Sequence, residues 1–329
     1  MAPIFKSRED RLLPYLEPLL KDMLFTEIPS QFFAGREDLS FMENVPFPVK
    51  KSEMVELTES GLSALTIADN IALVIGGNTQ VKHADAYLQF LNRLFDDKLA
   101  GVFAGKARED LRLGNYRKGL AYLRAGMMFR DDSLEAMFSY ASGCRYWYTQ
   151  LEGSEEDTDL VKILKEEANE YFEHVTDQYP EYAGGWYFLG YAYLNQGQYL
   201  KAQLAWKKYL DKADKDDISE NESIQEIESR LETLEEPVKI ERGVNLLNSG
   251  HLEEGLQILE PYVQTEYSKW WPLHFYLGCA YNELGELPEA IEGFLNVLKL
   301  SPSNLDAMDA LADLYARTGD AEKSEKYTN

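Results

Sequence analysis

The sequence predicts an all-α protein in which residues 98–329 form a stack of about six helix pairs behind a mainly helical region over residues 1–97. Three observations carry this. Glycine returns at a nearly constant interval, 35 residues from Gly250 to Gly285 and 34 from Gly285 to Gly319. The residue types around these glycines return at matching offsets. A further stretch, Trp186 to Trp206, falls into the same phase, with Leu189, Gly190, Tyr193, Gly197, Ala202 and Trp206 at the corresponding places. An interval of this length suits one helix-turn-helix unit, which cannot bury its apolar face alone and must stack on neighbours.

The unit from Trp271 to Asn304, WPLHFYLGCAYNELGELPEAIEGFLNVLKLSPSN, shows what each place does. Gly278 has no side chain, so the first helix can approach the Ala290 face of the second, while Tyr281 and Phe294 fill the space between them. Gly285 supplies the positive φ that ends the first helix in a tight turn. Pro302 lacks the N–H needed to continue the second helix and opens the next unit. In this register the aromatics of the stretch Trp186 to Trp206 read as packing positions, not as a cofactor box.

Ahead of the array, a short helix is expected near Pro14 to Phe25, then an irregular stretch through FFAGREDLSFMENVPFPVK, then helices near Glu53 to Ile75 and Val81 to Phe95. The glycine-rich stretch VIGGNTQ, Val74 to Gln80, lacks the pattern GxxxxGK followed by Ser or Thr and follows a helical pattern, so it reads as a helix C-cap, with phosphate binding the remote alternative. The first repeat, Ala100 to Ser133, keeps Ala107, Gly114, Tyr116 and Leu123, with Gly119 and Gly126 at small-residue places. The second starts at Leu134 with Ala141, is interrupted by an insertion near 151–160 (LEGSEEDTDL), and resumes with Ala168, Phe172, Val175 and Pro180. An extra acidic helix is expected near 218–235, where Ile224, Ile227, Leu231 and Leu234 make one stripe beside a Ser223-x-x-Glu226 capping box. The fourth repeat, Glu236 to Trp270, keeps Gly243, Gly250, Leu252 and Leu259. The sixth begins at Leu305 and reaches Asn329 within its second helix. The apolar face of Leu311, Leu314 and Tyr315 is therefore expected to be poorly covered, and to favour self-association through this end or a continuation of the chain.

These marks together resemble the tetratricopeptide repeat over roughly residues 100–329, most closely in the third and fifth units; residues 1–97 resemble no family. The resemblance implies a right-handed superhelical solenoid whose first helices line a concave groove that receives an extended or helical peptide. The ligand-facing places of that family fall here on Arg108 and Arg112 in the first unit, on Phe138, Arg145 and Tyr146 in the second, and on Tyr187, Tyr191, Leu194 and Asn195 in the third. The fourth offers Ile240, Val244 and Asn248, the fifth Phe275 and Asn282, the sixth Asp306, Asp309 and Asp313. Members that clamp the C-terminal carboxylate of heat-shock chaperones use lysine, asparagine and arginine at such places. Tyr187 and Tyr191 stand there in this chain, so that ligand is not expected. The lining implied instead runs from arginines through aromatics to aspartates.

Composition narrows the function further. A formal charge of −24, from 57 Asp and Glu against 33 Lys and Arg, disfavours nucleic-acid phosphates and anionic lipid as partners. No segment approaches the roughly 20 apolar residues of a membrane helix, and the N-terminus lacks the uninterrupted apolar core of a signal peptide, so a cytoplasmic protein is expected. Cys144 and Cys279 stand far apart and read as reduced packing residues. His83, His174, His251 and His274 are scattered singly, without metal-ligand spacing. The acidic runs GSEEDTD and DKADKDD lack the fixed spacing of a calcium loop and read as solvated. No cofactor, metal or catalytic constellation is expected. The expected function is a non-enzymatic scaffold or adaptor that binds a protein or peptide in the groove. The alternative is a regulatory or docking portion whose activity lies in residues 1–97 or beyond Asn329, or a purely structural subunit.

Overall fold

A computed structural model describes residues 9–27, 37–95, 98–130, 133–152, 158–215 and 217–328. The chain is all-α in class and divides into two compact units, Met1–Ala192 and Tyr193–Asn329.

The first unit opens with a short helix α1 (Leu13–Leu16) and a 3-10 turn at Glu17–Leu20. It then departs from the expected helix, because Met23–Thr26 is a strand, β1, paired antiparallel with β2 (Phe47–Lys50), Met23 opposite Lys50 and Thr26 opposite Phe47. Pro14 and Pro18 each sit in the first turn of a short helical segment, where a missing N–H costs nothing, and neither lets a longer helix run through. The ribbon is held from beneath: the Phe47 ring meets Phe90 edge-on at 4.9 Å, and the Tyr87 hydroxyl donates to the Pro46 carbonyl at 2.5 Å. Residues 28–36, which include the start of the stretch expected to be irregular, lie outside the described residues.

The helix expected over Glu53 to Ile75 is two helices, α2 (Met54–Glu59) and α3 (Ala64–Gly77), parted at Gly61, whose φ is 76°. Ser63 caps α3 by accepting from the Thr66 N–H at 3.0 Å. Helix α4 (Ala84–Phe95) follows, then the first repeat pair, α5 (Lys98–Arg112) and α6 (Tyr116–Phe129). The stretch Val74 to Gln80 ends the helix as expected, with Asn78 as the C-cap, and α3 runs through both Gly76 and Gly77 to reach it. The reason is contact with α6, since a Cβ on Gly76 would lie 1.8 Å from the Ala121 carbonyl oxygen. Only glycine lets these two backbones meet.

The second pair, α7 (Leu134–Leu151) and α8 (Thr158–Gln178), completes the unit with the start of α9 (Ala183–Asn195), within which the division between units falls. Most of the insertion, residues 153–157, lies outside the described residues. The N-terminal segment is tied to these repeats by charge. Asp10 pairs with the fully buried Arg124, and Arg11 reaches Glu166, Glu167 and Glu170 at 2.7, 2.9 and 3.0 Å. Glu167 also accepts from the Tyr140 hydroxyl at 3.0 Å, so this nearly buried carboxylate has both a cation and a hydroxyl as partners.

The second unit contains α10 (Tyr199–Lys212), the extra helix α11 (Asn221–Thr233), and three pairs: α12 (Glu235–Asn248) with α13 (Leu252–Leu259), α14 (Trp271–Leu284) with α15 (Leu287–Leu300), and α16 (Leu305–Arg317) with α17 (Ala321–Tyr327). The apolar stripe on α11 turns inward, with Ile224, Ile227 and Leu234 buried. Its capping box does not form: the helix begins at Asn221, before Ser223, and Glu226 pairs with Arg230 at 2.9 Å instead. Gly285 ends α14 in the left-handed region at φ 79°, and Gly114, Gly197, Gly250 and Gly319 share that conformation at the other repeat turns. On the face that Gly278 offers to α15, the tightest approach is Gly293, where a Cβ would stand 2.9 Å from the Gly278 Cα.

The expectation of an uncovered final face is also corrected. Leu311 and Leu314 are 0% exposed and Tyr315 is 8% exposed. Helix α17 reaches far enough to stack Tyr327 on Tyr315, with ring centres 6.0 Å apart, and to donate from the Ser324 hydroxyl to the Ala312 carbonyl at 2.9 Å.

Candidate functional site

The larger recess of the second unit begins with a proline. Pro261 has no N–H to continue α13, so the chain leaves it through two 3-10 turns, Glu260–Gln264 and Glu266–Lys269, before α14 starts. Thr265 caps the second turn, accepting from the Tyr267 N–H at 3.3 Å. This detour brings Tyr267, Lys269 and Trp270 to a cleft shared with Pro237, Ile240, Glu241 and Val244, which recur at helical spacing on α12. Gly197, Tyr199, Glu266 and Tyr276 complete a cleft of ≈ 830 Å³.

Its walls are positioned by contacts outside it. The Tyr267 ring stands edge-on to Tyr262 at 5.6 Å, and the Tyr262 hydroxyl donates to Glu236 at 2.5 Å. Burial, then the bond to Glu236, pushes the Tyr262 hydroxyl well above the ordinary tyrosine value. The Tyr267 hydroxyl is raised as well, first by burial and then by the carboxylates of Glu266 and Glu236. Glu241 is held by the Leu200 N–H, which donates to its Oε2 at 2.6 Å.

The first unit has a narrower cleft of ≈ 370 Å³ between α5 and α7, edged by Arg108, Arg112, Tyr116 and Tyr146 and floored by Leu111, Ser142 and Gly143. Its arginines are already engaged: Arg108 pairs with Glu135 at 2.8 Å and Arg112 with Glu109 at 2.7 Å. The hydrogen bond from Arg112 holds the exposed Glu109 carboxyl below its ordinary value. Nearby, the Arg145 guanidinium lies 5.3 Å from the ring centre of Phe188 and 5.9 Å from that of Tyr191. Tyr187 stands edge-on to both rings, and Phe138 packs among Phe172, Tyr182 and Phe188.

The residues singled out in the sequence thus fall into separate groups. Arg108, Arg112 and Tyr146 share one cleft, while Arg145, Tyr187, Tyr191 and Phe138 join one cation and aromatic cluster. Phe275 is half-buried between Trp271 and Phe294, at 6.2 and 5.6 Å, and serves the core. Asn282 accepts from Arg317 at 2.6 Å, and Arg317 also pairs with Asp313 at 3.4 Å. Leu194, Asn195, Asn248, Asp306 and Asp309 line neither cleft. Sequence reasoning missed Tyr199, Glu241, Tyr267, Trp270 and Tyr276. One signal was present: Tyr262 to Trp271 holds four aromatics in ten residues, mostly off the repeat marks.

Other chemistry is accounted for by packing. His274 is buried, and its Nε2 bonds the Ser268 carbonyl at 2.8 Å. Burial, then the Glu167 carboxylate, pushes the Cys144 thiol well above its ordinary range. Among the described residues no group of His, Cys, Asp and Glu could hold a metal ion, and no helix is long and apolar enough to cross a membrane.

A tetratricopeptide repeat family model matches residues 165–217, which span the end of α8, α9 and α10. No curated protein matches the chain. Among solved structures, the TPR domain of P58(IPK) is 17% identical at a TM-score of 0.38, over 69% of this chain and 58% of that one, less than two thirds of its length. MamA from Desulfovibrio magneticus RS-1 is 19% identical at 0.34, over 57% and 90%, and pilF of Pseudomonas aeruginosa is 12% identical at 0.32, over 70% and 89%.

Proposed function

Because the chain carries tetratricopeptide repeats, we propose that it is a non-enzymatic interaction scaffold that receives an extended segment of a partner protein on the surface of its first helices. The observation that supports this best is the cleft of the second unit, with aromatic and apolar walls on α12, α14 and the turns between them. Such a surface suits an anchor side chain that is desolvated on binding, and anchors of this kind supply most of the affinity at interfaces. The smaller cleft at Arg108, Arg112 and Tyr146 is a second contact for the same partner class. Within residues 1–97, helix α3 serves in this reading as the cover of the first repeat, since it packs on α6 through Gly76.

Selection of random twelve-residue peptides displayed on phage against the full chain, with counter-screening on Tyr199→Ala and Trp270→Ala, tests the reading. Peptides should be enriched that lose about tenfold or more in affinity on either variant. Enriched peptides indifferent to both substitutions, or no enrichment, would overturn it.

A further inference from the structure

The cleft of the second unit is not a neutral apolar groove. Its aromatic walls, Tyr199, Tyr267, Trp270 and Tyr276, are edged by two carboxylates, Glu241 and Glu266, against the single cation Lys269. We propose that this cleft selects a cationic side chain, an arginine on an extended segment of a partner protein, stacked on the aromatic walls with its charge met by Glu241 and Glu266. The inference rests on the reading of this cleft as the partner site, and adds the chemistry of the ligand.

Several considerations lead to arginine. Glu241 is partly withdrawn from water, with its Oε2 fixed by the Leu200 N–H at 2.6 Å, so its charge is positioned before any ligand arrives. A neutral ligand seated over it would strand a desolvated carboxylate, whereas a guanidinium replaces the lost water with charge-assisted hydrogen bonds. The planar guanidinium also stacks on ring faces, which the strongly hydrated lysine ammonium does less well. The same combination already occurs inside the protein, where Arg145 lies over Phe188 and Tyr191. The carboxylates around Tyr267 help raise its hydroxyl, in keeping with a negative field in the cleft, and the net charge of −24 draws cationic segments toward the surface. An acidic segment meets repulsion here, and a proline-rich one leaves both carboxylates unmatched.

The test is calorimetric titration of the full chain with three peptides: acetyl-Gly-Leu-Arg-Ala-Leu-Arg-Gly-amide, its analogue with glutamate in place of both arginines, and acetyl-Gly-Pro-Pro-Leu-Pro-Pro-Gly-amide. The arginine peptide should bind best and weaken with added salt. Glu241→Gln with Glu266→Gln, which keeps an acceptor for the Leu200 N–H, should weaken it about tenfold. Neutralising the exposed Glu253 and Glu254 in the same way removes equal charge outside the cleft and should leave affinity within about twofold. Thermal melts of each variant show whether the fold is kept. Equal weakening by both double variants would reduce the effect to net charge and overturn the inference. If the glutamate or proline peptide binds as well as the arginine peptide and requires Trp270, the groove stands and its charge selectivity falls. If the arginine peptide does not bind while phage-selected peptides still require Trp270, the groove again stands and the preference for arginine is overturned. If neither binds, both readings fall together.

Discussion

Asp10 and Arg124 form an ion pair across 114 residues of chain, with side chains 5% and 0% exposed. Thr79 adds a hydroxyl bond to the same Asp10 oxygen at 3.2 Å. Removing one partner of a buried pair strands the other, at a cost of about 3–5 kcal/mol. Asp10→Asn is therefore expected to destabilise the first unit by that order, seen as a lower urea midpoint. Asp10→Leu combined with Arg124→Met should recover much of the loss, because it strands no charge. Equal midpoints for wild type and Asp10→Asn would show that the pair is not what holds the N-terminal segment.

Glycine substitutions should divide by contact. Gly76→Ala places a Cβ 1.8 Å from the Ala121 carbonyl oxygen and forces α3 and α6 apart, an overpacking cost of about 1–3 kcal/mol or more. Gly105→Ala, within α5, meets nothing within 4 Å and should raise stability by about 0.5–1 kcal/mol through helix propensity. Melting temperatures that move the same way in both variants would contradict the close approach.

The acid response should carry a signature of Asp69. Burial raises its carboxyl, but hydrogen bonds from Lys106 and Tyr122 and the charges of Lys106 and Lys50 outweigh burial and hold it below its ordinary 3.8. The ionised form is thus favoured by folding, and that stability is present above the ordinary value and lost as pH falls through the depressed one. Asp69→Asn should be less stable than wild type at pH 7, and the gap in melting temperature should close as pH falls below 3.8. A gap independent of pH would mean the substitution acts by packing alone.

The final helix should be necessary. Deleting Ala321 to Asn329 removes the Tyr327 ring from Tyr315 and the Ser324 bond to Ala312. The truncated chain is expected to bind an apolar dye and to scatter light in a concentration-dependent way, because Leu311, Leu314 and Tyr315 lose their cover. Unchanged dye binding would place that cover elsewhere.

What was legible in the sequence was what depends on near neighbours. The left-handed φ at Gly114, Gly197, Gly250, Gly285 and Gly319 is a local demand of the turn, so spacing alone found it. The same holds for the stripe of Ile224 and Ile227 on α11. Distant partners were not legible. Gly76 reads as a cap until Ala121, far along the chain, comes to lie against it. Leu24 and Phe25 read as helix until Val49 and Pro48 pair with them. The candidate site divides in the same way: Ile240 and Val244 lie on repeat marks, whereas Tyr267 and Trp270 face them only because Pro261 ends α13 early.

The clamp at the N-terminus sets an order of events during synthesis. A ribosome releases residue 10 long before its counter-ion at residue 124, and Arg11 must wait a further interval for Glu170, 159 positions downstream. Asp10 can meet Arg124 once α6 has emerged, but Arg11 has none of its partners Glu166, Glu167 and Glu170 until α8 has followed. Contacts so remote in sequence close late and slow the approach to the native state. The first unit thus completes its N-terminal clamp only when α8 has followed α6 out of the ribosome.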